Sequence, residues 1–179
     1  MSVEQETARW LNEVVIGLEL CPFARRPMAA NRVRLSVSDA RNEEELLRDL
    51  ANEMKLLDTT PASELETTLV ILPNYLQDFF DYSQFIGWSA SWLKREGWRG
   101  VYQLASFHPQ YCFAGSDPDD AENLTNRSPY PILHIIREES LSRALEFFKD
   151  VDLIPENNQR TVEALTAEEK RRLFPYLFT

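Results

Sequence analysis

His108, Asn126, Arg127 and Ser128 bracket a long stretch with neither helical nor strand periodicity, and their side chains could together handle an anion and a proton. The guanidinium of Arg127 stays charged and offers paired donors to a carboxylate or phosphate, with the Asn126 amide and Ser128 hydroxyl beside it. Imidazole changes charge near neutral pH, which makes His108 a candidate acid or base. Each also has a quieter role: His108 bonded to loop backbone, and Arg127 locking the loop against an acid such as Asp119. Asn74 could orient a ligand, although Pro-Asn ahead of a helix is an ordinary capping signal. Cys21 is the candidate nucleophile, since Arg25 and Arg26 follow closely and would favour a thiolate. Its neighbours Leu18, Leu20 and Phe23 favour inert packing instead. His134, inside the apolar run Ile132 to Ile136, reads as a hydrogen-bonded core or edge histidine. Asp117-Pro118-Asp119-Asp120 carries the signals of a helix start, so Asp117 is expected to cap a short helix rather than bind metal.

Several common chemistries lack their motifs. There is no GxxxxGK phosphate loop, no GxGxxG fingerprint, no GxSxG elbow and no HExxH helix, and five glycines leave little room for the first two. Cys21 and Cys112 have no CxxC spacing, so neither a zinc motif nor a structural disulfide is expected. No cofactor is indicated. A formal net charge of −10 argues against nucleic acid and anionic lipid as partners. The longest apolar runs are far too short to span a bilayer, and Met1 to Glu6 lacks a basic leader, so the expected location is the cytoplasm.

The elements that must position these residues follow from periodicity. Trp10, Leu11, Val14, Val15 and Leu18 mark a helix over residues 3–19, and alternation from Val33 to Val37 marks an edge strand. A helix over 42–57 precedes the uninterrupted apolar strand at 67–72, which requires cover on both faces and so a central position. The helix at 76–95 has two apolar stripes, one through Phe79, Ser83, Ile86, Ala90 and Leu93, the other through Phe85, Trp88 and Trp92. Strands at 101–107 and 132–136 follow. The helix after them, 140–148, turns Leu141, Ala144, Leu145 and Phe148 inward, and Thr166 with Glu169 has the capping-box spacing for a last short helix. The expected fold is a single α/β domain over residues 1–179, a layered sandwich with a mostly parallel four-stranded sheet and flanking helices. In such sheets ligands sit beyond the strand carboxyl ends, where Asn74 and His108 fall.

Four segments carry a resemblance: Gly17-Leu-Glu-Leu-Cys-Pro-Phe-Ala24, Leu72-Pro-Asn74, Val101 to Pro109, and Thr125-Asn-Arg-Ser-Pro-Tyr-Pro131. In that order, across nearly the whole chain, they resemble the uncharacterised bacterial domain-of-unknown-function family 1415, which implies neither an activity nor catalytic residues. Cys21-Pro-Phe-Ala24 is also similar to the thiol motif of omega-type glutathione transferases, where the cysteine follows a strand and opens a helix. Three functions are therefore expected to compete. The first is a small enzyme or binding domain for an anionic metabolite around residues 108–130. The second is a thiol-dependent oxidoreductase or transferase using Cys21. The third is a non-catalytic interaction module in which the helix bearing Trp88 and Trp92 recruits a partner or forms a homodimer.

Overall fold

The computed structural model describes residues 1–179. Helix α1 (Val3–Trp10) starts at a capping box in which Ser2 Oγ accepts from the Gln5 amide and the Gln5 side chain accepts from the Ser2 amide. It continues as a wider π-helical turn, Leu11–Ile16, that buries Leu11, Val14 and Val15. Gly17 closes the turn because a Cβ there would lie 2.3 Å from the Glu13 carbonyl oxygen. The short α2 (Arg25–Ala29) leads to β1 (Val33–Val37), then α3 (Glu43–Thr59), β2 (Thr67–Ile71), α4 (Phe79–Arg95), β3 (Tyr102–Phe107), β4 (Ile132–Arg137), α5 (Glu138–Phe147), α6 (Ile154–Glu163) and α7 (Ala167–Leu173).

The four strands form one sheet in the order β1-β2-β4-β3. β1 and β2 are parallel, whereas β4 runs antiparallel to both of its neighbours, so the sheet is mixed and not mostly parallel as expected. The reason lies in residues 108–131, whose only helix is the 3-10 stretch Ala121–Asn126. A parallel return needs an element long enough to carry the chain back along the sheet. This connection comes back to the edge it left: the His108 amide donates to the Asn126 carbonyl at 3.1 Å and the Leu72 amide to the Pro131 carbonyl at 2.9 Å. Re-entry at that edge forces β4 to run the other way.

β2 is central, with Leu69 to Leu72 at 0 to 2% exposure, and β1 lies at an edge, both as the apolar patterns predict. Strand alternation sorts the sheet into two faces. Val70, Leu72, Leu133 and Ile135 pack with Leu46, Leu50, Met54 and Leu57 of α3 and Tyr82, Phe85 and Trp92 of α4. Leu69, Ile71 and Ile132 pack with Trp10, Leu11, Val14 and Val15, Val162 of α6, and Leu173 and Phe174 at the end of α7.

Three helices depart from expectation. α4 begins at Phe79, because Asp78 takes the amides of Phe80 and Asp81, and its buried residues are Tyr82, Phe85, Ser89 and Trp92 with Leu93, the one fully buried member of the first stripe. Ser83 and Ala90 of the other stripe face solvent, as does Trp88, at 36% exposure. α5 buries no residue fully, and Leu145 and Phe148, expected inward, are exposed. α6, not marked by any strong periodicity, contributes a single fully buried residue, Val162. The Thr166 capping box opens α7 as its spacing predicts. No helix is long and apolar enough to cross a membrane.

Candidate functional site

The 108–131 connection gathers the residues whose chemistry is most conspicuous in the sequence, and their side chains are directed at the protein itself. His108 is fully buried. Its Nε2–H donates to the Leu76 carbonyl at 3.0 Å and its Nδ1 accepts the Gln110 amide at 2.9 Å, which fixes a neutral tautomer. The rings of Phe79 and Tyr82 lie 5.2 and 5.0 Å from the imidazole, and burial holds its pKa below the usual histidine range. The Leu76 backbone that receives this bond is left-handed, at φ 56°, a strained conformation for leucine. His108 is thus a strap across the start of α4.

Arg127 Nε donates to the Tyr111 carbonyl at 3.1 Å and a terminal guanidinium nitrogen to the Pro118 carbonyl at 2.6 Å, so backbone oxygens rather than Asp119 receive its hydrogen bonds. Asn126 donates its amide to the Ser106 carbonyl at 3.0 Å, and the buried Ser128 hydroxyl donates to the Tyr130 carbonyl. Tyr176, near the C-terminus, donates to the Arg127 carbonyl at 2.8 Å. Asp117 caps no helix. Its Oδ1 accepts the Asp119 amide, Asp120 Oδ2 accepts the Asp117 amide, and together they close a turn ahead of the 3-10 helix at Ala121. No three His, Cys, Asp or Glu side chains are placed to share a metal ion. The structure therefore brings His108, Asn126, Arg127 and Ser128 into one region, each as a fastener. Asn74 stays outside it, exposed and lining a cleft beside Asp78 and Trp88, while capping of α4 falls to Asp78.

Cys21 lies elsewhere, in the turn between the π-helical segment and α2. Burial pushes its thiol pKa up, only partly offset by backbone hydrogen bonds from Phe23 and Ala24. Arg25 pairs with Glu19 at 3.7 Å and does not hold a thiolate. The cysteine follows helical backbone instead of a strand and opens no helix, so the setting of the transferase motif is missing.

What Cys21 does line is a cavity of about 310 Å³ over the second sheet face. Leu69, Ala105, Phe107, His134 and Ile136 form its floor, and Trp10, Leu11 and Val15 one wall. Opposite them stand Phe23 and Met28, together with Leu141 and Ala144 of α5. The lining is almost wholly apolar, and its one carboxylate, Glu66, is paired with Arg32 at 3.3 Å. Cys21 also borders an adjoining, more polar cleft of about 500 Å³ that carries Arg25, Phe148 and Asn158.

His134 is the distinctive member of this lining. Thr67 Oγ1 has one hydrogen, which goes to the Ile135 carbonyl, so the 2.8 Å contact with His134 must be Nε2–H donating to Thr67. Nδ1 is left as an acceptor with no protein partner, while burial lowers the imidazole pKa to about 4 and keeps the ring neutral. Trp10 Nε1 and Ser140 Oγ, in two other cavity-lining residues, are buried without hydrogen-bond partners. Sequence patterning gives His134 a core or edge role and marks Trp10 only as an apolar helix position and Ser140 only as the start of a helix. The usable signal was parity: His134 shares its strand face with Ile132 and Ile136, so it is a polar side chain at an inward position of what proves to be a central strand.

No curated protein and no solved structure shows detectable similarity to this chain. One family model matches residues 2–172, nearly the whole length, under the description "Protein of unknown function (DUF1415)". The chain, whose four motifs all lie inside that match, belongs to this DUF1415 family.

Proposed function

We propose that this protein binds a small, largely apolar molecule in the cavity between its sheet and α5. The observation that carries the reading is the cavity itself, about 310 Å³ and lined almost wholly by apolar side chains. Small-molecule sites have this character: concave, apolar, with a few polar groups that orient the ligand. Filling the cavity with an apolar ligand supplies contacts that its lining lacks. Helix α5 fits a covering role, since Leu141 and Ala144 face the space while no residue of the helix is fully buried.

The test uses toluene as an apolar probe. Saturating toluene is expected to raise the melting temperature of the wild type, because ligand bound only by the native state stabilises it. Ala105→Phe, which projects a ring into the cavity from the floor, should fold and lose the shift. An unchanged shift in Ala105→Phe would place the binding elsewhere.

A second reading keeps the thiol. Cys21 borders both the cavity and the adjoining cleft, so an electrophile held in either space would meet its sulfur. A raised pKa argues for slow reaction in the free protein. This reading requires alkylation of Cys21 to outpace that of an ordinary exposed thiol. Anion binding by Arg127 with His108, and partner recruitment through Trp88, have less support, because the first two side chains are spent on the fold and Trp92 is core.

A further inference from the structure

We infer that the ligand of this cavity is an uncharged, hydroxyl-bearing aromatic molecule of the phenol class, held by a hydrogen bond from its hydroxyl to Nδ1 of His134. This rests on the cavity being a ligand site and goes on to name the chemistry it selects.

The hydrogen-bond inventory of the cavity floor decides the polarity. Thr67 gives its single proton to the Ile135 carbonyl and receives the Nε2 proton of His134, which leaves the imidazole one lone pair and nothing to donate into the cavity. Trp10 Nε1 and Ser140 Oγ, the other unpartnered polar atoms of the lining residues, are wholly covered, so what the floor offers is an acceptor, whose complement is a donor. The cavity also excludes charge, because the one carboxylate in its wall is paired with Arg32 and a neutral imidazole in apolar surroundings offers no counterion to an anion. A carboxylate ligand would be buried unpaired, and an ammonium would meet a carboxylate already taken. A neutral hydroxyl remains.

The walls decide the shape of the rest. Trp10 and Phe107 meet edge to face with centroids 5.1 Å apart, Phe107 lies 6.3 Å from the His134 ring, and Phe23 contributes a third aromatic side chain to the lining. Flat rings of this kind favour a flat ring packed against them, through offset and edge contacts that a saturated ligand cannot make. The space is about twice the roughly 150 Å³ that accommodates benzene, so one substituted ring fits with room for a side group.

The experiment compares three probes of nearly equal size by titration calorimetry at pH 7: p-cresol, toluene, which lacks the hydroxyl, and 4-methylcyclohexanol, which lacks the aromatic ring. p-Cresol is expected to bind at least tenfold tighter than either. In His134→Phe its advantage over toluene should disappear while toluene binding persists, a pattern that loss of folding cannot mimic. Toluene binding the wild type as tightly as p-cresol would overturn the hydroxyl assignment and leave the cavity as an apolar site. Equal binding of 4-methylcyclohexanol would overturn the aromatic assignment. Failure of all three to bind would overturn both this inference and the ligand-site reading beneath it.

Discussion

The 108–131 connection and the cavity under α5 flank the same sheet and dispose of their polar atoms in contrary ways. In the connection, His108, Asn126, Arg127 and Ser128 each reach a backbone partner, and the fully buried imidazole uses both ring nitrogens. In the cavity polar atoms are few, yet His134 keeps an unused acceptor, and Trp10 and Ser140 keep polar atoms with no partner. Density of reactive residue types therefore marks where a long irregular segment has been fastened down. An unused acceptor opening on a cavity, as at Nδ1 of His134, marks where a molecule from outside can be received. The energetic basis is the asymmetry of hydrogen bonding, modest gain when a bond is made and a larger penalty when a buried group is left without one.

The contrast breaks first at His108. Replacing it with Ala removes two buried hydrogen bonds and the packing against Phe79 and Tyr82, and should cost about 3 to 4 kcal/mol, read as a lower urea midpoint. A loss below about 1 kcal/mol would mean the strap is dispensable and would return His108 to the list of functional candidates.

His134 supplies the next largest effect, through pH. Its folded-state pKa of about 4 lies below the ordinary 6.5, so the unfolded chain binds the proton more readily than the native one. Stability should be fully present above about pH 6.5 and fall as pH drops toward 4, by up to about 3 kcal/mol through this residue alone. His108, also depressed by burial, acts in the same direction. The acid limb should be shallower in His134→Phe, and an unchanged limb would show that the ring is not held neutral by its surroundings.

Arg127→Ala should cost about 2 kcal/mol, since it strips charged donors from the Tyr111 and Pro118 carbonyls, and should leave toluene binding intact. A change in ligand affinity without a change in stability would reverse the roles assigned to the two regions. The smallest effect belongs to Ala144→Leu, which extends the α5 wall into the cavity. Chemical denaturation should register less than about 1 kcal/mol, in the stabilising direction, while probe affinity falls.

Periodicity made the central place of Leu69 to Leu72, the edge place of Val33 to Val37 and the Thr166 cap legible in advance, because each depends on local pattern and burial. The direction of β4 was not legible. It depends on whether residues 108–131 carry the chain along the sheet or back to the edge it left, and that is fixed by loop hydrogen bonds, from backbone and side chain alike, with no periodic trace. Asp117 was misjudged for a related reason: the same residue types that start a helix also close the Asp117–Asp120 turn. His134 was legible as an inward residue but not as a free acceptor, since its second nitrogen is decided by the proton that Thr67, 67 positions away, has given to Ile135.

The insertion of β4 between β2 and β3 also bears on how the chain is assembled. Emerging from a ribosome, β1, β2 and β3 are all available before the strand that must join them, and the 108–131 segment has to close first. During that interval Thr67–Ile71 presents an unpaired, β-branched, apolar edge, the kind that pairs with other chains. A chain interrupted before Ile132 is expected to aggregate rather than retain three-quarters of a sheet, because β2 and β3 share no ladder and are joined within the sheet only through β4.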